Sequence, residues 1–208
     1  MHIFGKIALA AAAVFAFGVL TQAGAAPLTV VNVDSSDVTC TFDLSCSVVV
    51  TDTFGQYPPS SGYSGHPKLW TRTFVGGAGS QADGLTAFEY QADFTHAHAQ
   101  TDINCAVDVT VRTGPITPLN YDGSGNADVY VITSGSLGTI GLSSAVRSGA
   151  HVTFTFTTPV CPKNGTAPGQ LSFYFGFASP NSPVKGHAQS SLTFGGGTVS
   201  VPARVPAH

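Results

Sequence analysis

Residues 151–160 read HVTFTFTTPV, and the alternation within this stretch decides the fold that the sequence predicts. Val152, Phe154 and Phe156 occupy every second position, and the residues between them are Thr153 and Thr155. Successive side chains of a β-strand point to opposite faces, so a period of two buries one face and exposes the other to solvent. Residues 170–179, QLSFYFGFAS, repeat this pattern with leucine and phenylalanine. Both segments therefore predict strands with one buried face.

Further β-rich segments follow one another along the chain. Glycine, proline, serine and asparagine separate them, as in GQYPPSSGYSGHP and CPKNGTAPGQ, and these residues favour turns. No amphipathic helical window of useful length follows the N-terminal segment. The pattern predicts an all-β fold, an antiparallel β-sandwich of Ig-like or jelly-roll-like type, with a closed β-barrel as the alternative. The other predicted strands are LTVVNVD (28–34), SCSVVVTD (45–52), LWTRTFV (69–75), AFEYQADFTHAH (87–98), CAVDVTVR (105–112), DVYVIT (128–133), SLTF (191–194) and TVSV (198–201).

The N-terminal segment, residues 1–25, predicts a cleaved signal peptide. Lys6 supplies the positive flank, residues 7–20 form a short apolar core, and Ala-Gly-Ala at 23–25 provides a small-residue cleavage site. A membrane span needs about 20 consecutive apolar residues, which is more than this core offers. We therefore expect cleavage after residue 25 and a mature chain that is secreted, periplasmic or held at the cell surface.

The rest of the chain is long enough for one domain with a sizeable core. We place a single β-sandwich domain over residues 26–201 and a flexible C-terminal tail over 202–208. Only 9% of the residues are charged, against about 25% in ordinary domains, and the formal net charge is −3. This charge excludes the basic surface that nucleic acid requires, and no basic amphipathic helix indicates insertion of the mature chain into a membrane. The sequence does not name a partner, and a surface glycan or a protein is the candidate.

Four cysteines lie in the predicted exported part of the chain, Cys40, Cys46, Cys105 and Cys161. An even number in an oxidising compartment predicts two disulfides, although the sequence allows three connectivities. Cys40 and Cys46 flank the short segment TFDLS, which suits a local bridge across a hairpin. Cys105 and Cys161 would then close a loop of more than fifty residues, worth about 4 kcal/mol in the chain-entropy model. Metal ligation by cysteine is the alternative, but no C-x-x-C spacing is present.

A pattern of motifs extends over residues 87–178. A strand ends at Cys105, a loop NYDGSGNADVYV and a stretch TSGSLGTIGLSSA follow, HVTFTFTTPVC ends at Cys161, and SFYFGFAS forms an aromatic strand. This pattern resembles a family of exported bacterial all-β proteins of uncharacterised function, and it covers nearly half of the chain. The resemblance implies a bacterial host and the pairing of Cys105 with Cys161, and it implies no activity.

Within that pattern, residues 119–133 read LNYDGSGNADVYVIT, with polar side chains at every second position before a strand. The loop resembles the calcium loops of integrin-type and bacterial propeller repeats, in which oxygen ligands alternate with glycines. Two members of the set are neutral where that pattern prefers carboxylates, so we expect at most millimolar calcium affinity and no required cofactor. A metal-free turn is the alternative. The resemblance assigns side-chain oxygens to Asn120, Asp122, Ser124 and Asp128, and a backbone carbonyl to Asn126.

His96 and His98 stand two residues apart in FTHAHAQTD. On one strand they would share a face and present two imidazoles to a zinc or copper ion. No third ligand stands at a diagnostic spacing, although His66, His151 and His187 are available. A pair of solvent-facing strand histidines is the alternative interpretation.

Motifs of conventional catalysis are poorly represented. The chain has no G-x-S-x-G segment, and Glu89 is the only glutamate, so a glycosidase with paired carboxylates would have to rely on aspartates. Trp70, together with Tyr57, Tyr63 and Tyr90, could stack on a sugar ring. A lone tryptophan in LWTRTF is more simply a core residue of a sandwich.

The sequence therefore predicts an exported, disulfide-stapled β-sandwich that acts as a non-enzymatic structural or binding module. The first alternative is a metal-dependent secreted enzyme centred on His96 and His98. The second is a carbohydrate-binding module that uses Trp70 and nearby tyrosines.

Overall fold

The computed structural model describes residues 24–58, 63–100, 103–194 and 197–208. The predicted signal peptide, residues 1–25, lies almost entirely outside these ranges, so its cleavage stays a prediction. Within the described ranges, no helix combines the length and the apolar character needed to cross a membrane.

The described chain is built from strands and one short helix. The helix α1 spans Ser35–Phe42. The strands are β1 (Ala26–Pro27), β2 (Val30–Val33), β3 (Thr51–Gln56), β4 (Tyr63–Gly65), β5 (Lys68–Val75), β6 (Thr86–Asp93), β7 (Ala97–Ala99), β8 (Ala106–Arg112), β9 (Val129–Ile132), β10 (Leu142–Ser148), β11 (His151–Val160), β12 (Tyr174–Ser179), β13 (Pro183–Ser191) and β14 (Thr198–Pro206).

The strands form two six-stranded sheets and one small two-stranded sheet. The first sheet has the order β1-β10-β11-β8-β13-β14, the second has the order β2-β9-β12-β6-β5-β3, and β4 pairs with β7. Neighbouring strands are antiparallel, except that β2 runs parallel to β9. The two large sheets pack face to face and do not close into a barrel, which confirms the predicted β-sandwich.

The inner faces of the two sheets meet in an aromatic core. Phe154 of β11 is fully buried against Phe175 and Phe177 of β12, with ring centroids 5.0 and 6.3 Å away. Burial of one phenylalanine side chain contributes about 1.5–3 kcal/mol, so these rings bind the sheets together at the centre. Thr153 lies on the opposite face of β11 and shares a 2.8 Å hydrogen bond with Thr110 of β8. The period of two in HVTFTFTTPV is thus realised as predicted.

The outer face of the second sheet is covered in part, because α1 and residues 119–127 pack on it. Phe42 of α1 is fully buried, and its ring centroid lies 5.0 Å from that of Phe74 of β5. The carboxylate of Asp37 accepts a 3.1 Å hydrogen bond from the Asp34 N–H, which stabilises the start of the helix. The sequence predicts no helix after the signal segment, and α1 corrects that expectation.

Both disulfides are formed with the predicted pairing. Cys40 lies in α1 and Cys46 in the turn after it, so their bridge ties a helix to its following turn and not two strands of a hairpin. Cys105 precedes β8 and Cys161 follows β11, so the second bridge clamps two adjacent strands of the first sheet over a sequence separation of 56.

Several strand boundaries differ from those that the sequence predicts. Residues 45–50 are not in a strand, and the predicted strand 87–98 is divided by a turn into β6 and β7. β10 and β13 are formed by segments for which the sequence predicts no complete strand. β14 continues to residue 206 in register with β13, so residues 202–206 of the predicted flexible tail belong to the first sheet.

Candidate functional site

The predicted calcium loop is a turn held by its own side chains. The Asp122 carboxylate accepts hydrogen bonds from the hydroxyl (2.7 Å) and the N–H (2.9 Å) of Ser124, and these bonds lower the pKa of Asp122. Asn120 Oδ1 accepts a 3.1 Å hydrogen bond from the Gly125 N–H. Gly123 and Gly125 have φ values of 81° and 144°, which residues with side chains rarely adopt.

Asp128, the second carboxylate of the predicted calcium set, is engaged elsewhere. Its Oδ2 accepts a 2.8 Å hydrogen bond from the Thr29 N–H, immediately before β2. Asn126, predicted to contribute its carbonyl, is exposed in the same turn. The structure thus gathers the first three members of the set, whereas the last anchors a neighbouring strand. Calcium binding stays a prediction, and the Oδ1 atom of Asp128 is the oxygen that the Thr29 N–H does not engage.

The predicted histidine pair does not lie on one strand. β6 ends at Asp93, His96 lies in the following turn, and His98 lies in β7. Both histidines are exposed, and Ala97 between them is fully buried. The prediction that one continuous strand presents both imidazoles is therefore wrong. In the part of the chain that the structure describes, no group of three or more His, Cys, Asp and Glu side chains is arranged to hold a metal ion, and zinc or copper binding stays a prediction.

A row of ionisable side chains crosses the outer face of the second sheet in register. Asp52 of β3 pairs with Arg72 of β5, and Arg72 pairs with Glu89 of β6. Glu89 pairs with Gly176 of β12, and Gly176 pairs with Tyr130 of β9. Arg72 Nε donates a 3.0 Å hydrogen bond to Asp52 Oδ1 and lies 3.9 Å from Glu89 Oε2. We call Asp52, Arg72, Glu89 and Tyr130 the polar row.

Gly176 lets the polar row continue across β12. The Tyr130 hydroxyl donates a 3.1 Å hydrogen bond to Glu89 Oε1, although a whole strand separates the two residues. A Cβ at position 176 would lie 2.4 Å from the Phe88 carbonyl oxygen and 3.0 Å from the Tyr130 hydroxyl. Glycine is therefore needed here for the close approach of neighbouring atoms.

Glu89 is the central residue of the polar row, and only 1% of it is exposed. Desolvation raises its pKa from 4.5 to about 7, while the Arg72 guanidinium and the Tyr130 hydrogen bond oppose that rise. Its carboxyl group therefore changes charge near neutral pH. Sequence reasoning assigned this residue no role. The available signal was a lone glutamate between two apolar residues, Phe88 and Tyr90, in a strand.

The second oxygen of the Glu89 carboxyl group differs from the first in its hydrogen bonding. Glu89 Oε2 is buried without a hydrogen-bond partner among the described residues. Glu89 also lines a cavity of about 30 Å³ together with Thr39 of α1 and Arg72. A cavity of this volume accommodates a water molecule. Arg72 is itself held in place, because its guanidinium lies 4.5 Å from the centroid of the Tyr174 ring.

Beside the polar row, the same face carries a partly exposed aromatic patch formed by Phe54, Trp70 and Lys68. Phe54 is 49% exposed, and its ring centroid lies 5.1 Å from that of Trp70. The Lys68 ammonium lies 4.5 Å from the Phe54 centroid and 5.1 Å from the Trp70 centroid. Trp70 Nε1 donates a 3.2 Å hydrogen bond to Asp93. Trp70 is thus an outer-face residue, which corrects its interpretation as a residue of the core between the sheets.

The tyrosines grouped with Trp70 on sequence grounds lie elsewhere. Tyr57 and Tyr90 are buried in the core between the sheets, and the side chain of Tyr63 is outside the described part of the structure. A sugar site that joins Trp70 to Tyr57 and Tyr90 is therefore wrong, and Phe54 is the aromatic neighbour instead. The missed signal was the period of two in KLWTRTFV, which places tryptophan and both cations of β5 on one face.

The chain matches no protein-family model, no curated protein and no solved structure. Its candidate site is therefore interpreted from its own contacts. These contacts place two features side by side on the second sheet, a buried acid within the polar row and a partly exposed aromatic patch.

Proposed function

We propose that this protein is exported and acts as a non-enzymatic structural or binding module in the periplasm, at the cell surface or in the medium. The observation that carries this proposal is the pairing of all four cysteines in two disulfides within a β-sandwich. Disulfides form and persist in oxidising compartments. The resemblance of residues 87–178 to exported bacterial proteins supports the same assignment.

The positions of the disulfides suit a scaffold that presents a surface. The Cys105–Cys161 bridge clamps two strands of the first sheet, and the Cys40–Cys46 bridge fixes the end of the helix that covers part of the second sheet. The aromatic patch lies on that second sheet, on strands β3 and β5. A rigid frame of this kind lowers the entropic cost of holding exposed side chains ready for a partner.

Export and disulfide formation are tested together by expressing the full chain in a secreting bacterial host. N-terminal sequencing of the exported protein should begin at Ala26, and non-reducing peptide mapping should recover the Cys40–Cys46 and Cys105–Cys161 links. A control that lacks residues 1–25 should stay in the cytoplasm with free thiols. Retention of the full chain in the cytoplasm, or free thiols in the exported protein, would overturn the proposal.

Carbohydrate binding is a second candidate function, favoured by the neighbouring rings of exposed Phe54 and half-buried Trp70. Flat aromatic rings on a sheet face offer apolar area to the C–H face of a sugar ring while losing little side-chain entropy. Trp70→Ala should abolish glycan-array binding and leave the fold intact by circular dichroism. Phe194→Ala is the matched control, because Phe194 is 54% exposed and lies outside the patch. Equal glycan binding by both variants and the parent protein would exclude this site.

A further inference from the structure

An open cavity of about 410 Å³ lies where the edge of the second sheet meets the β13–β14 hairpin of the first. Phe54 of β3 contributes to one wall, and Lys185, His187, Pro202 and Arg204 of the hairpin contribute to the other. Its volume falls in the range of small-ligand sites. Phe54 also belongs to the aromatic patch, so the cavity and the patch share this residue.

Two side chains of this cavity are cations placed directly opposite each other. Lys185 and Arg204 are register partners in the β13–β14 pair, where Cβ atoms lie about 4.5–5.5 Å apart. Like charges at such positions destabilise a strand pair. Neither cation forms a salt bridge with any residue that the structure describes, although the whole chain has a net charge of −3. An anion between the two side chains would remove this repulsion.

Arg204 provides a second, independent observation. Its Nε atom is buried, and it has no hydrogen-bond partner within the described ranges. Leaving a buried charged donor unpaired is costly. Asp43 shares a neighbouring cavity of about 390 Å³ with Arg204, but its carboxylate accepts a 2.8 Å hydrogen bond from the Ser45 N–H and forms no ion pair with Arg204 in the described part of the chain.

We propose that this cavity binds an acidic sugar unit, with its carboxylate or sulfate between Lys185 and Arg204 and its ring against Phe54. The proposal rests on the binding role proposed above and names the ligand class. The planar guanidinium of Arg204 matches the geometry of a carboxylate or sulfate, and Lys185 adds a mobile positive charge. Lys68, whose ammonium lies 4.5 Å from the Phe54 ring centroid, supplies a third cation beside the same ring. Lys185 and Arg204 in the cavity and Lys68 next to it supply positive charge that favours an acidic sugar over a neutral one.

The test is isothermal titration calorimetry of the mature protein with three oligosaccharides of similar length. These are an oligogalacturonate, a sulfated galacto-oligosaccharide and a neutral galacto-oligosaccharide. At least one acidic ligand should bind while the neutral one does not, and binding should weaken as ionic strength rises. Lys185→Gln and Arg204→Gln should each weaken binding roughly tenfold or more, because each removes a charge-assisted contact.

The double variant Lys185→Gln, Arg204→Gln is compared with the control double variant Arg112→Gln, Lys163→Gln, which changes the net charge by the same amount. The control should bind the acidic ligand within about twofold of the parent protein, since surface charges away from a site contribute little. Lys185 is exposed, so its replacement leaves the fold intact and keeps the test valid if Arg204→Gln unfolds.

Three outcomes would overturn the inference. If the control variant weakens binding of the acidic ligand as much as the cavity variants do, the ligand is attracted by net charge alone. Binding of the neutral oligosaccharide that depends on Trp70 and not on Lys185 would leave the carbohydrate function standing and remove the acidic specificity. Absence of binding to all three ligands, in a protein whose disulfides and N-terminus are as expected, would remove this ligand class and leave the exported module in place.

Discussion

The two faces of the second sheet are covered by different means, the inner face by the first sheet and part of the outer face by α1 and residues 119–127. The inner face carries Phe88, Tyr90 and Phe177, which pack against the first sheet. The outer face carries Glu89 and Tyr130, which α1 and residues 119–127 cover. The inner face is stabilised by apolar area, whereas on the outer face each buried polar atom needs its own partner. The difference teaches that a period of two reports which residues share a face and does not report which face meets water.

β6 shows this within a single strand. Phe88 and Tyr90 point into the sandwich, Glu89 and Gln91 point outward, and all four are buried. Gln91 is satisfied because its Nε2 donates a 2.9 Å hydrogen bond to the Ser172 carbonyl. Glu89 has one oxygen bonded to Tyr130 and one without a partner among the described residues. The stability that the outer face contributes should therefore depend on pH, and the stability that the inner face contributes should depend on the volume of its side chains.

The largest effect is expected on the inner face. Phe177→Ala should lower the free energy of unfolding by about 3–5 kcal/mol, because it removes a fully buried ring and leaves a cavity. Urea unfolding followed by circular dichroism measures this change. Phe194→Ala, at an exposed position, should change stability by no more than about 0.5 kcal/mol. Similar losses in the two variants would contradict the assignment of the core.

The next largest effect is a pH dependence on the outer face. The pKa of Glu89 is raised to about 7 in the folded protein, so its protonated form favours folding. This contribution is fully present below about pH 4.5 and is lost as the pH rises through 7, a decrease of about 3 kcal/mol. Glu89→Gln should flatten this part of the stability profile, since glutamine has a similar size and still accepts the Tyr130 hydrogen bond.

Urea midpoints measured across this pH range check the Glu89 prediction. Asp122→Asn is the control, because the lowered pKa of this exposed carboxylate gives a dependence of opposite sign, with stability lost as the pH falls. An unchanged slope in Glu89→Gln would show that Glu89 does not titrate in this range.

Gly176→Ala adds a side chain to β12, the strand that lies between Glu89 and Tyr130. The added methyl group would clash with the Phe88 carbonyl and crowd the Tyr130 hydroxyl, so we expect a loss of about 1–3 kcal/mol. Thermal unfolding measures the loss. Gly197→Ala is the control, because a Cβ there meets no atom within 4 Å. Equal melting temperatures for the two variants would show that the second sheet adjusts without cost.

Calcium should produce the smallest effect. A millimolar site in millimolar calcium adds about 0.4 kcal/mol of stability. The loop also carries Tyr121, whose ring centroid lies 4.6 Å from that of Tyr130, so calcium would tighten the cover of the outer face. Calorimetry should show a small rise in melting temperature that Asp122→Ala removes and magnesium does not reproduce. Unfolding on chelation would indicate a strong structural site, and an absent response would identify a metal-free turn.

The sandwich was predictable because its core pattern is local. The alternation around Phe154 and Phe177 is contained in single strands, and it specifies their buried faces without knowledge of their partners. β13 was harder to predict from the sequence, since PVKGHAQSS has few β-branched or aromatic residues and is held in place by pairing with β14. α1 is similarly too short to be stable alone, and packing of Phe42 and the Cys40–Cys46 bridge stabilise it.

The polar row could not be predicted from the sequence, because its members come from four strands that are far apart in the chain. Glu89 and Tyr130 become partners only through the register of β6, β12 and β9 and through the missing side chain of Gly176. The facing cations Lys185 and Arg204 likewise depend on the hairpin register. Residue types of a site can be read from a sequence, whereas a juxtaposition across strands depends on the tertiary fold.

The prolines of β14 have a consequence for how copies of this protein behave at high concentration. β14 is the outermost strand of the first sheet, and Pro202 and Pro206 lack the N–H groups that an added strand would need. The edge strand on the opposite side of the first sheet is β1, which has two residues and includes Pro27. Edge strands that are short or interrupted by proline hinder edge-to-edge aggregation of β-proteins. The first sheet therefore ends in strands to which a strand of a second chain pairs poorly, so growth of this sheet from copy to copy is disfavoured.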